Sequence, residues 1–531
     1  MNIELLQIVY DGQWEERENL DMQTLASCFI SNGFDSRVHN YKFQLLKDNL
    51  EEEIEKLVEN ASYLFLTFDF YAEDDLIDCI YRIAAFAKSV KPALVVCLTG
   101  HRGSINYEAL LNDCSAIDYL IIGDSEDSAV NLVKTLESGQ PTDKCYGIAY
   151  KQGEHIYKSE PLTDNFNNSP WPVRDASILR SQRKAKIRTS RGCQARCTFC
   201  IDIGYEKKWR GRAIQDVVNE MEHLNRNFEV KQFNIIDNSF EDPGLLGKKR
   251  LFDFVNAINE KQSKFYFNCL TRAESYTSEE DERLIKELSL AGLSTVLIGF
   301  ESGSQDDLDL FNKRAKVEDN LRAYEFFNKY DVNVLPGFIM FNPYSSVETL
   351  EKNRQFLNKI NKSYSFISFC RTLKIFEGVK LAAKIKEDGL LTEDFNYKAP
   401  LKYRFVNKKV GLLAESLNNA RYISNASNLA VTLEYGMGLL ARIQKNYVEW
   451  KEVSEFKSRL HVMSEEFGSH VNKFFDQCLE MVSTNSNQWD EKLYLSLVNE
   501  LEKNAEKHQV SNEIKQFMKQ NVKNSELKFI L

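Results

Sequence analysis

The chain has no long hydrophobic run. Its longest apolar stretches are of strand length and are broken by polar residues, so no transmembrane helix is expected. The opening MNIELLQIVYDGQWEE has no basic segment followed by an apolar core. It therefore does not read as a signal peptide, and a cytoplasmic location is expected. Positive charge is in deficit, with 68 Lys and Arg against 78 Asp and Glu, and the net charge of −10 disfavours nucleic acid as the main partner. Proline is scarce, at 9 residues, and no low-complexity segment or short-period repeat is present. Eleven cysteines, an odd number without a secretory signal, argue against a disulfide framework.

What is present is an ordinary globular composition, 43% hydrophobic and 27% charged, spread over 531 residues. That length is too great for one core and implies three or four domains. Six cysteines (Cys28, Cys79, Cys97, Cys114, Cys145 and Cys478) sit inside apolar patterns and read as small core residues. The charge is uneven. From Arg180 to Arg212 there are eleven Lys or Arg against two Asp or Glu. That segment is either a solvated strand and loop or a local field that holds anions.

Residues 1–140 alternate strand and helix patterns. IELLQIVY, SRVHNYKF, SYLFLTFDF, ALVVCLTG and DYLIIGD are the strands, and five βα units of this length predict a flavodoxin-like, doubly wound parallel sheet. A hairpin turning at Gln152-Gly153 and the proline- and asparagine-rich NFNNSPWPV fill 141–180 as hairpin and linker. A second series (AKIRTS, QFNIID, FYFNCLT, TVLIGFE, VNVLPGFIMF) predicts a full or partial (β/α) TIM-like barrel over 181–375, with chemistry at the strands' C-terminal ends. Residues 376–531 turn helical, and no strand series returns.

RGCQARCTFC (191–200) places Cys193, Cys197 and Cys200 in a loop directly after the first barrel strand. Three buried thiols clustered by chance do not suit its polar surroundings. A zinc site needs a fourth ligand and no histidine lies nearby, the closest in sequence being His223 in a helical pattern. Cys197-Thr-Phe-Cys200 has the spacing of a redox dithiol but lacks the single βαβ context and leaves Cys193 unused. Three thiolates also suit three irons of a 4Fe-4S cluster, with the fourth iron open to a ligand that is not protein.

The CxxxCxxC spacing, with Phe199 before the last cysteine, resembles the radical S-adenosylmethionine (radical SAM) superfamily. That resemblance covers residues 180–375. It implies that Cys193, Cys197 and Cys200 hold a 4Fe-4S cluster whose open iron binds SAM. One electron, from a donor such as flavodoxin or ferredoxin, cleaves SAM to a 5′-deoxyadenosyl radical that takes hydrogen from substrate. It further implies that Asp237 and Asn238 meet the SAM amino or ribose groups, and that Arg272 pairs bidentately with the methionyl carboxylate. Gly299 would let backbone approach adenine while Glu301 faces the ribose, and LPGFIMFNP (335–343) would be a sixth strand end.

The N-terminal domain resembles the cobalamin-binding modules found ahead of the barrel in one radical SAM subgroup. Thr99, Gly100, Gly123 and Glu126 would then line the pocket for the cobalamin tail. Many such modules carry Asp-x-His-x-x-Gly after the first strand. Here that turn reads Tyr10-Asp11-Gly12-Gln13-Trp14-Glu15, without histidine, and the acidic turns at Glu73-Asp74-Asp75, Asp124 and Glu126 do not favour a phosphate-rich tail. TLKIFEGVKLAAKIKEDGLL (372–391), with Gly378, resembles the stretch that closes the barrel. The later helices, with Tyr435, Tyr447 and Trp450, are expected to cover the open barrel face. Three functions follow. The first is cobalamin-dependent C-methylation of a small molecule or peptide in natural-product or peptide maturation. The second is a cobalamin-independent peptide epimerisation or cross-linking, with Cys370, in the strand-like YSFISFCRTLKIF, as hydrogen donor. The third is a tRNA methylthiotransferase, suggested by the basic segment.

Overall fold

A computed structural model describes residues 1–9, 18–68, 74–161, 166–202, 208–261, 263–394, 396–420, 425–447, 450–483 and 489–521. The turn Tyr10–Glu15 and Glu73 lie outside the described residues.

Strands β1 (Asn2–Val9), β2 (Asp35–Lys42), β3 (Tyr63–Thr67), β4 (Val95–Thr99) and β5 (Tyr119–Ile121) pair in parallel in the order β2-β1-β3-β4-β5. Alternate residues of β3 face opposite layers. Leu64 and Leu66 join one apolar cluster with the helices Phe43–Val58 and Asp74–Val90, while Tyr63 and Phe65 join another with Leu20–Ser31 and Ser125–Glu137. Burial on both faces is what gives a parallel strand its near-continuous apolar run. This is the flavodoxin-like domain that the pattern predicts.

The sheet does not stop at residue 140. The hairpin β6 (Ile148–Gln152) and β7 (His155–Lys158) continues it, with Ile148 and Ala149 opposite Ile121 and Leu120 in antiparallel register. Read from sequence the hairpin belongs with the linker; in the fold it covers the edge that β5 would otherwise expose.

The central sheet has five parallel strands in chain order: β8 (Lys184–Ile187), β11 (Gln232–Ile235), β12 (Tyr266–Arg272), β13 (Leu293–Glu301) and β14 (Asn333–Phe338). Two short strands, β9 (Ser190–Arg191) and β10 (Arg210–Gly211), pair beside it. The barrel is therefore partial. LPGFIMFNP ends the fifth strand rather than a sixth, and beyond it only a single parallel bridge, Phe341 to Thr372, continues the sheet. The run around Cys370 is a short helix, Phe366–Cys370, and not a strand. A brief apolar run carries no period that separates the two, and here the Ser368 N–H to Ser365 O bond (2.8 Å) closes a helical turn.

The C-terminal helices, Lys408–Ala420, Asn425–Tyr447, Lys451–Ser483, Glu491–Glu506 and Val510–Asn521, share one hydrophobic core with the barrel. Gly438 lies against Thr295 and Asn333, near the starts of β13 and β14, and Lys445 donates to the Ser289 carbonyl (3.0 Å) just before β13. Phe475 packs on Phe369 and Phe341, with ring centroids 5.1 and 6.5 Å apart, beside the open edge past β14. These helices thus back the strand starts and the open edge, not the mouth at the strands' C-terminal ends where sequence reasoning put them. The segment 372–405 crosses that mouth instead. It bonds Thr198 through the Leu381 N–H (2.9 Å) and reaches the N-terminal domain through Tyr397, whose hydroxyl donates to Asp113 (2.5 Å). Arg102, 1% exposed, lies over the Phe68 ring and donates to the Tyr397 carbonyl.

Because barrel and helices share one core, Phe475→Ala should destabilise the whole chain by about 3–5 kcal/mol, the usual cost of emptying a buried phenylalanine site. Urea unfolding followed by far-UV circular dichroism and by tryptophan fluorescence should show one shifted transition. A shifted helical transition with an unmoved second one would mean that the two regions fold separately.

Candidate active site at the domain seam

The three-cysteine loop is held from several directions. Asp237, 2% exposed just past β11, accepts hydrogen bonds from the Thr189 N–H (2.7 Å), the Thr189 hydroxyl and the Ser190 hydroxyl (2.7 Å), locking the end of β8. β9 and β10 then clamp the two ends of the loop together. Gly192 has φ 85°, and a Cβ there would stand 2.5 Å from the Lys208 carbonyl oxygen, so the clamp requires glycine. Within the loop, the Gln194 N–H donates to Asp242 (2.8 Å), the Thr198 N–H to the Phe311 carbonyl (2.9 Å), the Thr198 hydroxyl to the Leu310 carbonyl (2.8 Å), and the Asn312 amide to the Arg196 carbonyl (2.8 Å). Phe199 meets Phe311 edge-to-face at 5.2 Å, so the aromatic in the motif is a packing anchor.

Cys197 is buried, and Cys193 and Cys200 are partly exposed. Burial pushes the Cys193 thiol up to about 12, and it raises Cys197 and Cys200 as well. Positive charge opposes this, from Arg272 on Cys193 and from Lys313 on Cys197. Among the described residues no three His, Cys, Asp or Glu side chains converge on a single metal ion. The three thiols share one loop without meeting at a point. A donor set of three soft sulfurs, one for each of three irons, is chemically suited to a 4Fe-4S cluster.

The other strand ends surround the loop, but several side chains are already engaged. Arg272, at the end of β12, pairs with Glu241 (3.2 Å), Asp242 and Glu274 (3.4 Å), so the expected pairing with a methionyl carboxylate meets a guanidinium that three protein carboxylates occupy. Asp237 is likewise taken up by the loop, and the Asn238 amide donates to Asp202 (2.9 Å). Glu301 ends β13 with φ 62° and accepts from Lys313 Nζ (3.2 Å). A Cβ at Gly299 would stand 2.7 Å from Glu301 Oε1 and 3.0 Å from Lys313 Nζ, so the room this glycine leaves is filled by that pair. Glu241, Glu274 and Lys313 escaped sequence reasoning. Glu274 Oε2 is buried and accepts no hydrogen bond among the described residues, and Glu274 is raised above the ordinary carboxylate range by burial. A ligand with an ammonium group and a carboxylate, as SAM has, fits a cluster that offers an unfilled acceptor beside Lys313 and Arg272.

Cys370 lies elsewhere. It is 0% exposed inside the core shared with the C-terminal helices, the position of a packing residue rather than of a hydrogen donor.

Across the seam, a groove at the C-terminal ends of the N-terminal strands is lined by Thr67, Thr99, Gly100, Asp124 and Glu126, with Arg191 contributed by the barrel. Three of the four expected groove residues meet there. Gly123 does not line it; a Cβ at Gly123 would strike Pro161 at 2.7 Å, so this glycine packs beneath the linker. The acids that seemed unsuited to a phosphate are not free. Arg191, 4% exposed, pairs with Glu126, with Asp124 (3.4 Å) and with Asp21 (3.2 Å), while Arg210 pairs with Asp124 and Arg188 with Asp21. Arg174 bridges Glu18 and Glu220, at 2.6 Å to each. Three cations of the basic segment, Arg188, Arg191 and Arg210, are thus spent on the N-terminal domain, which weakens the motive for a nucleic-acid surface. Burial alone would raise the Asp21 carboxyl; Arg188 and Arg191 outweigh it and hold it well below the ordinary carboxylate range. With the acids ion-paired and Gly100 at φ 110° offering bare backbone, the groove is a small, polar cleft.

Two outcomes test this geometry. Arg191→Ala leaves Glu126 buried without its partner and Asp124 with Arg210 alone, and should cost about 3–5 kcal/mol in urea unfolding, as breaking buried pairs does. Asp237→Ala should leave the fold in place but free the loop, so that trypsin cuts after Arg196 many times faster than in the parent protein. Unchanged cleavage would mean that Asp237 does not hold the loop.

Comparison with known proteins agrees with this arrangement. Residues 187–357 match the radical SAM superfamily model. An uncharacterized methyltransferase of Pyrococcus horikoshii is 25% identical over 293 residues, 54% of this chain and 62% of that protein, so the match spans less than two thirds of this relative's length. The cobalamin-dependent SAM radical enzyme OxsB, solved with aqua-cobalamin and SAM bound, superposes with a TM-score of 0.71 at 17% identity, over 98% of this chain and 84% of its own. The radical SAM methyltransferase TsrM of Kitasatospora setae, solved with tryptophan and a SAM analogue, gives 0.62 at 15% identity, over 74% and 77%. The barrel with its cysteine loop, residues 187–357, is thus similar to radical SAM domains, and the chain as a whole shares the fold of OxsB.

Proposed function

We propose that this protein is a cobalamin-dependent radical SAM methyltransferase that methylates an unactivated carbon of a small molecule or peptide in natural-product or peptide maturation. The observation that carries this reading is Arg191. It lines the groove of the N-terminal domain and stands two residues before Cys193, so that groove and the cysteine loop share a wall. Two solved proteins that share this fold, OxsB and TsrM, are a cobalamin-dependent SAM radical enzyme and a radical SAM methyltransferase.

When bound, a 4Fe-4S cluster supplies one electron for reductive cleavage of SAM to a 5′-deoxyadenosyl radical, and a corrinoid supplies a transferable methyl group. The residues of this chain do the rest. Cys193, Cys197 and Cys200 hold three irons; Glu274, Glu301 and Lys313 offer one acceptor and one balanced ion pair to SAM; Thr99, Gly100 and Glu126 border the tail groove. The segment 372–405, tied to Thr198 and to Asp113, keeps water from the strand ends. A low-potential one-electron donor of the flavodoxin or ferredoxin kind is the expected redox partner.

Anaerobic reconstitution with iron, sulfide and hydroxocobalamin tests this directly. The expected protein carries one 4Fe-4S cluster and one corrinoid, and with titanium(III) citrate it converts SAM to both 5′-deoxyadenosine and S-adenosylhomocysteine. Cys193→Ala, Cys197→Ala and Cys200→Ala should each lower deoxyadenosine formation by at least about 10³-fold, because a cluster lacking one thiolate does not assemble. A loaded cluster without bound corrinoid would sink the methyltransferase reading and leave the radical SAM chemistry standing.

A further inference from the structure

Lys313 is a buried lysine that the reaction scheme above uses only as half of an ion pair. It is 4% exposed and directly follows three residues pinned to the cysteine loop. The Phe311 and Leu310 carbonyls accept from Thr198, and the Asn312 amide donates to the Arg196 carbonyl. Asn312 and Arg314, the two neighbours of Lys313, have φ 50° and 57°, a left-handed conformation that costs non-glycine residues energy. Strain on both sides of one buried charge, in a segment bonded to residues 196 and 198, fixes where that charge lies. Its only ion-pair partner among the described residues is Glu301, at 3.2 Å, and Glu301 is itself at φ 62°. Three strained residues therefore serve one ammonium beside Cys197.

We propose that Lys313 is an electrostatic positioning residue that sets the reduction potential of the cluster held by Cys193, Cys197 and Cys200, with Glu301 moderating its charge. The inference rests on the cluster reading of those cysteines. Reduction adds one electron, from an external low-potential donor, to a cluster already surrounded by thiolates, and no proton accompanies it. A fixed ammonium next to one of the thiolates favours the more negative, reduced state. The dry surroundings make that preference larger than the same charge would give in water. Burial acts against the charge on Lys313, but Glu301, Glu274 and Cys197 outweigh it and keep the lysine protonated.

The test is a redox titration of the reconstituted cluster, without SAM or corrinoid, followed by electron paramagnetic resonance of the reduced form. Lys313→Gln should lower the ratio of reduced to oxidised cluster at fixed potential about tenfold, a shift of ~59 mV for one electron. Lys313→Arg should stay near the parent protein. Glu301→Gln, which leaves the ammonium less neutralised, should shift the ratio the other way. Opposite shifts from the two members of one pair are not what a merely structural role produces. Equal midpoints in all four proteins, each with an intact cluster, would overturn the proposal. If Lys313→Gln fails to load a cluster, Glu301→Gln decides alone: a raised potential supports the proposal and an unchanged one overturns it. Failure of the parent protein to load any cluster would instead remove the reading on which the inference stands.

Discussion

The interaction on which the rest depends is the meeting of Arg191 with Glu126, Asp124 and Asp21. Each of these charges would be costly where it lies if it stood alone, because the seam between the two domains removes most of its water. Together they fix the N-terminal sheet against the first barrel strand, at the point where β8 gives way to the cysteine loop. Arg174, between Glu18 and Glu220, extends the same arrangement from the residue just before one domain's first helical cap into the other's helix Ile214–Phe228. Neither half of the site is complete without this contact: the groove borrows Arg191 as wall, and the loop borrows the acids as the anchor of its leading end.

A second constraint is the way the strand ends share side chains. Glu241 alone accepts from Ser239 (2.8 Å), Thr271 (2.7 Å), Ser275 (2.8 Å) and Arg272 while wholly buried. Such an acceptor leaves Arg272 little freedom, and Arg272 in turn carries charge to Cys193. The site is built less from residues aimed at ligands than from residues that hold other residues, which is how a set of strand ends is kept rigid enough to position reacting atoms.

Much of this was legible in the sequence, for definite reasons. The five N-terminal strands announce themselves because buried parallel strands are apolar on both faces, and the cysteine loop because three thiols at that spacing have few other uses. The seam was not legible. The partners of Arg191 lie 65, 67 and 170 residues away, so nothing within the basic stretch marks Arg188, Arg191 and Arg210 as facing inward. FISFC forms a helix where a strand is expected because five residues carry no period, and Lys313 escapes notice because a single lysine between asparagine and arginine gives no sign of burial or of left-handed neighbours. Gly299 was noticed for the right reason, the need for space, but what fills the space is the chain itself.

The cysteine loop is tethered by Asp237, Asp242, Phe311, Asn312 and finally Leu381, residues that follow it by as much as most of the barrel. During synthesis the three thiols therefore emerge long before the segments that cage them. The last of these anchors, the Leu381 N–H bond to the Thr198 carbonyl, forms only once residue 381 has left the ribosome. The complete set of anchors around the three thiols is therefore a product of long-range folding and not of the loop's own sequence.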